Sequence, residues 1–284
     1  MNAPWGFALA NTTASSKASC ADRMVEWSRS MVRRASSARS LPHTRATDAA
    51  LLILLISTAC GHHRAASPIL LFNGTGTSPN DVAAFEAVLN GKGLDYATVN
   101  SSELNNMSEP QLRMFRLLIV PGGNFEQIGK NLTSGTAANV RAAVEHGLNY
   151  LGVCAGAFFA GDSPFNGLNL TSGVKFRFYA AENQGMRKAA VPITVAGAPT
   201  LEHYWEDGPE LTGWGTVVGK YPDGTPAIVE GSVGSGWVIL SGIHPEAPDR
   251  WRRGMTFHTP AADDNAYAAL LILAALNREP LAHY

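Results

Sequence analysis

From Pro68 onward the chain alternates short apolar runs with segments of helical period, and that alternation limits the fold more than any other feature. "PILLFNGTG" is a short apolar run that enters a Gly-rich loop. "PNDVAAFEAVLNGKG" follows, with Val82, Phe85, Val88 and Leu89 at helical spacing and Gly91 as a stop. "LDYATVNS" predicts a second strand, "SEPQLRMF" a short helix and "RLLIVPGG" a third strand. "SGTAANVRAAVEHG" predicts a helix ended by Gly147, and "NYLGVC" a fourth strand. Strands joined through helices need crossover connections, which implies a parallel sheet covered on both faces. Near-continuous apolar strands agree with that burial.

Past Phe165 the texture becomes antiparallel. "VKFRFYAA", "AVPITVAG", "GTVVGKY", "TPAIVEG" and "GWVILSG" read as strands, with "PDGT" and "VGSG" as turns between them. "DDNAYAALLILAALN" is a long apolar helix expected to pack on the sheet rather than enter a membrane. The fold class is therefore α/β, with a mainly parallel central sheet and an antiparallel extension. A hydrophobic content of 45% over 284 residues supplies ample core. A net charge of -1, with no Lys/Arg cluster in the folded region, gives no electrostatic case for nucleic acid as a partner.

The first 67 residues read differently. Met1 to Ala50 is rich in Ser, Ala, Thr and Arg and shows no sustained apolar period. It leads into "AALLILLISTAC", an apolar run that ends in small residues and Cys60. The run is far shorter than the roughly 20 residues a bilayer span needs. A basic segment, a short apolar core and a small-residue junction describe a secretory signal. Export is the expectation, periplasmic or membrane-anchored. Ser57-Thr58-Ala59-Cys60 resembles a bacterial lipoprotein signal that would lipidate Cys60 and anchor the chain to a membrane; Ser57 and Ala59 equally suit an ordinary signal peptidase. The expected division is a leader and linker over 1–67 and one α/β domain over 68–284. His62 and His63, beside Cys60, read as linker rather than as metal ligands.

Removal of such a leader would leave Cys154 as the lone thiol beyond Cys60, and no disulfide framework is possible. In "NYLGVCAGAFFAGD" that Cys follows a buried strand and is flanked by Gly152, Ala155, Gly156 and Ala157. A sharp strand-to-helix turn presenting a nucleophile needs such small neighbours; a buried structural Cys is the plainer alternative. Two other strand ends carry unusual residues: Pro121-Gly122-Gly123-Asn124 after the third, and His244-Pro245-Glu246 after "WVILSG". Ligands in open α/β sheets gather at the carboxyl ends of strands. A nucleophilic thiol needs a base, and the base an orienting partner. On an extended strand a spacing of two puts His244 and Glu246 on one face, with Glu246 holding the ring and the other nitrogen facing Cys154. The N–H groups of Gly123 and Ala155 are candidate donors to an oxyanion. Gly122, Asn124, Phe158, Tyr204 and Trp205 are candidate pocket residues, the last two from "HYWEDGPE", read as a lip over Cys154. Glu126 is a surface acid unless it faces Cys154.

Taken together, "IVPGG", "YLGVCAG" and "LSGIHPE" resemble the class I glutamine amidotransferase-like superfamily, whose triad is Cys, His and Glu in that chain order. The longer strings "PGGNFEQIGKNL", "GLNYLGVCAGAFFAG" and "HYWEDGPEL" are more similar to the amidotransferase-like domain at the N-terminus of biotin–protein ligases, which also occurs alone in bacterial proteins. The resemblance spans Pro68 to Asn277. It implies a flavodoxin-like three-layer sandwich, with Cys154 as nucleophile, His244 as base and Glu246 as its orienter. Glutamine-hydrolysing members carry Gln four residues after the Cys, where Phe158 stands here, so glutamine is not the expected substrate. The peptidase-like branch has His directly after its Cys, where Ala155 stands. No biotin-ligase catalytic domain follows, so biotin attachment is not expected. Two functions remain: a cysteine hydrolase acting on a small-molecule or peptide amide, with no cofactor or metal, or a binding module that keeps the fold and a reactive thiol.

Overall fold

Along the inner strands, successive side chains enter opposite cores, as the two-residue period of a strand requires. In β1 (Ile69–Phe72), Ile69 and Leu71 join one apolar cluster while Leu70 and Phe72 join the other. β3 (Leu117–Val120) divides in the same way, Leu117 and Ile119 against Leu118 and Val120. The computed structural model describes residues 68–179 and 185–284. The expected leader and Cys60 lie outside the described residues.

The chain order of the elements follows the predicted alternation. After β1 come α1 (Pro79–Gly91), β2 (Tyr96–Val99), α2 (Ser101–Asn105), α3 (Glu109–Leu112) and β3. Then follow α4 (Phe125–Lys130), α5 (Ser134–Glu145), β4 (Asn149–Val153) and α6 (Ala155–Ala160). The second half holds β5 (Arg177–Phe178), β6 (Lys188–Val195), β7 (Leu201–Glu206), β8 (Pro209–Glu210), β9 (Thr216–Lys220), β10 (Pro226–Val233), β11 (Gly236–Ser241) and α7 (Ala261–Asn277). Among the described residues, nine strands form one sheet in the order β2-β1-β3-β4-β11-β10-β9-β6-β7. Its first five strands are parallel, and their order is the 2-1-3-4-5 of a flavodoxin-like sheet. From β11 onward every pairing is antiparallel, which is the extension.

Helices cover both faces. α1 and α7 pack on one, through Val82, Phe85, Leu271 and Ile272, and α5 and α6 on the other, through Val140, Val144 and Phe159. Pro79 opens α1, where its missing N–H is no loss, and the Ser78 side chain accepts from the Asp81 N–H. The apolar closing helix is thus a layer of the fold; no described helix is long and apolar enough to cross a membrane.

Three expectations are modified. Among its described residues, "VKFRFYAA" forms only the two exposed residues of β5, paired with β8 outside the main sheet. The first residues of "HYWEDGPE" complete β7, hairpinned to β6, with His203, Tyr204 and Trp205 all buried, so of this segment it is Glu206 and Asp207 that border the Cys154 cleft. His244-Pro245-Glu246 is not an extended strand. His244 makes one isolated bridge to Tyr204, and the Ala247 N–H donates to the His244 carbonyl, closing a turn. β11 has already ended at Ser241, and Pro245, with no N–H for a ladder, cannot extend the bridge at His244.

Candidate active site

Gly123, Cys154 and His244 follow the carboxyl ends of three parallel strands, β3, β4 and β11. Cys154 follows β4 at φ 50° and ψ -106°, a conformation side-chain-bearing residues rarely adopt. The turn is held by the Cys154 N–H donating to the Ser241 carbonyl at 2.8 Å. Its tightness explains the small flanks: a Cβ on Gly156 would stand 1.9 Å from the Val120 carbonyl oxygen. α6 therefore seats directly on β3, with the Tyr150 hydroxyl donating to the Gly156 carbonyl at 2.7 Å.

His244 is brought to the same cleft by the end of β11. Its backbone N–H donates to the Tyr204 carbonyl at 2.8 Å, and Tyr204 and Trp251 pack edge-on or tilted around the ring. Nδ1 stands 2.9 Å from Glu246 Oε1, so the turn places this pair where the strand argument had placed it. That contact leaves Nε2 as the nitrogen for Cys154. The thiol itself donates to the Glu206 carbonyl at 3.5 Å.

Sequence reasoning missed a second carboxylate. Asp81, buried in the first turn of α1, has Oδ1 3.2 Å from His244 Nδ1 and receives no hydrogen bond there. An acid at a helix start looks like an ordinary capping feature, and nothing nearby in the sequence marks it. Burial alone drives the His244 pKa down, but the charges of Cys154 and Glu246 and the Asp81 carboxylate outweigh it and hold it well above the usual histidine range. Burial raises Glu246, against the pull of His244. The folded-state pKa of His244 exceeds the unfolded one. Its contribution to stability is therefore complete below about pH 6.5 and is lost as pH rises through the folded value. Glu246→Gln removes one of the supporting charges, so the His244 titration should move to lower pH. Imidazole ¹⁵N NMR measures this, and an unmoved midpoint would contradict the pairing.

The cleft is about 370 Å³. Gly123, Asn124, Ala155 and Phe158 line it with Cys154 and His244. Neither the Gly123 nor the Ala155 N–H donates to any described residue. Gly123, at φ 143°, is pressed against the backbone after β1: a Cβ would lie 2.1 Å from the Gly76 carbonyl oxygen. Gly122 sits just behind the cleft, facing Asp81 and the His244 ring. Phe158 stacks on Phe125 at 4.8 Å and tilts against Phe178 at 4.8 Å, forming an aromatic wall. Glu126 faces this cleft too, and pairs with Lys130.

Three expected pocket residues do not line it: Gly122, which lies behind it, and Tyr204 and Trp205. Trp205 is fully buried beneath the site, edge-on to Tyr179, because alternation along β7 turns it inward. Tyr204 borders a neighbouring cleft, and its hydroxyl donates to Glu206 at 2.6 Å. Arg187 and Asp207, an ion pair at 2.5 Å on the rim, come from segments with no motif to announce them. Asp81, His244 and Glu246 together form a group of metal-ligand type, with ligand atoms within 4.8 Å of one another. The His244–Glu246 hydrogen bond already occupies Nδ1.

The fold is an α/β sandwich similar to that of solved glutamine amidotransferase-like proteins. A crystal structure of a glutamine amidotransferase superposes with a TM-score of 0.51 at 22% identity, covering 73% of this chain and 98% of that one. A putative GMP synthase component from Thermoplasma acidophilum gives 0.49 at 15%, covering 76% and 98%. Residues 67–175 match the family described as biotin-protein ligase, N terminal. A biotin–protein ligase of Schizosaccharomyces pombe is 26% identical over 210 residues, 63% of this chain and 33% of the relative. The chain thus matches about a third of that relative's length.

Proposed function

We propose that the protein is a cysteine amidohydrolase in which Cys154 attacks an amide or related acyl carbon. The observation that carries this is the convergence on one cleft of the strained Cys154, a His244 held by Glu246, and two uncommitted N–H groups. The thiol turns from the Glu206 carbonyl and its proton passes to His244 Nε2. Sulfur then bonds to the acyl carbon, and the carbonyl oxygen takes the π pair, stabilised by the Gly123 and Ala155 N–H groups. Collapse breaks the C–N bond, and the leaving amine takes the proton from His244. Water, deprotonated by His244, attacks the thioester; a C–O bond forms, the C–S bond breaks, and the acid leaves with the thiol restored. Phe158 and its aromatic neighbours favour an apolar group on the acyl side over glutamine.

Burst kinetics with p-nitrophenyl acetate test this. The wild type should release about one equivalent of p-nitrophenolate per chain before the slower steady state, and Cys154→Ser none. A wild type without a burst would favour the binding-module alternative.

Export belongs to the same proposal, with Cys60 as the lipid acceptor. Intact-mass analysis of the protein from its native membranes should then show a chain beginning at lipidated Cys60. A chain retaining Met1 in the cytosol would contradict export.

A further inference from the structure

A second cleft, of about 320 Å³, adjoins the first and shares Ser78, Asp81 and Glu206 with it. Its outer wall carries three exposed cations, Lys188, Arg250 and Arg253. No described carboxylate lies within ion-pair distance of any of them. The two acids on its inner wall are engaged elsewhere: Asp81 faces His244, and Glu206 accepts from Tyr204. Trp251 also lines the cleft, and its buried Nε1–H has no acceptor. Cations without partners and an indole donor without an acceptor, gathered in one concavity, fit a negatively charged group.

We propose that this cleft is an anion subsite, so that the substrate attacked at Cys154 bears a carboxylate or phosphate held by Lys188, Arg250 and Arg253. The reacting carbon and the anion then lie on either side of the wall formed by Asp81 and Glu206. The attacked bond rests on the cysteine chemistry above; the anion binding stands apart from it.

A matched pair of alkylating reagents reads the subsite: N-(iodoacetyl)-β-alanine and its neutral primary amide. Corrected for their rates with a free small thiol, the charged reagent should label Cys154 about fivefold faster or more. In Arg250→Gln/Arg253→Gln that ratio should fall to about one, the two charges being its source. A wild-type ratio of one or less, or a ratio that survives the double substitution, would overturn the subsite. If neither reagent labels Cys154 in the folded protein, the cysteine chemistry fails, and calorimetric titration with succinate and with inorganic phosphate decides the subsite. Binding of either that weakens about tenfold in the double variant, near 1.4 kcal/mol, would support it. Absence of binding by both, or binding unaffected by the substitutions, would overturn it. Whichever probe binds more tightly distinguishes a carboxylate from a phosphate.

Discussion

His244→Ala should slow acylation of Cys154 by about a hundredfold to ten-thousandfold, the range a positioned general base contributes. In the folded protein the imidazole is enclosed, with Nδ1 on Glu246 and Tyr204 and Trp251 around the ring, so its orientation is fixed before any substrate arrives. Without it the thiol keeps its hydrogen bond to the Glu206 carbonyl, which cannot carry a proton away. Stopped-flow release of p-nitrophenolate gives the rate. Glu246→Gln should show a smaller loss, because Asp81 still faces Nδ1 at 3.2 Å. A His244→Ala protein that acylates at the wild-type rate would remove His244 from the chemistry.

Gly156→Ala should destabilise the protein by about 3 kcal/mol, at the upper end of overpacking effects. The new methyl would lie 1.9 Å from a backbone carbonyl on β3, which cannot rotate aside as a side-chain tip would. The helix after Cys154 must then lift from the sheet, and the φ of 50° at Cys154 loses its support. At roughly 2–4 °C per kcal/mol for a domain of this size, calorimetry should show Tm lower by about 6–12 °C. An unchanged Tm would mean that the elbow is looser than its geometry implies.

The parallel half of the fold was legible because its strands are apolar on both faces. Nothing but burial between two helical layers suits ILLF, LLIV or NYLGV. β7 was harder, because LEHYWE carries charge and aromatics that suggest a surface segment. His203 and Trp205 are nonetheless buried, His203 beside Asp264, which also pairs with Arg252. A polar cluster buried under a strand in this way leaves no periodic signal in the sequence. The residues around Cys154, His244 and Glu246 could be found because strand ends and small neighbours mark them. Asp81, Phe125, Phe178 and Arg187 reach the cleft from four separate segments, and only the folded chain brings them together. HPE was located with the wrong local geometry: a local bond from Ala247 to the His244 carbonyl closes a turn, and the bond that seats His244 runs to the Tyr204 carbonyl on β7, remote in sequence.

Whether Cys154 is a working nucleophile is tested most directly by iodoacetamide labelling of the folded protein at pH 6.5, with peptide mapping of the product. Cys154 should be carboxamidomethylated at least about tenfold faster than a small-molecule thiol under the same conditions, as activated cysteines are. Labelling only after denaturation would show that the elbow is a packing device, and the cysteine-hydrolase account would fall.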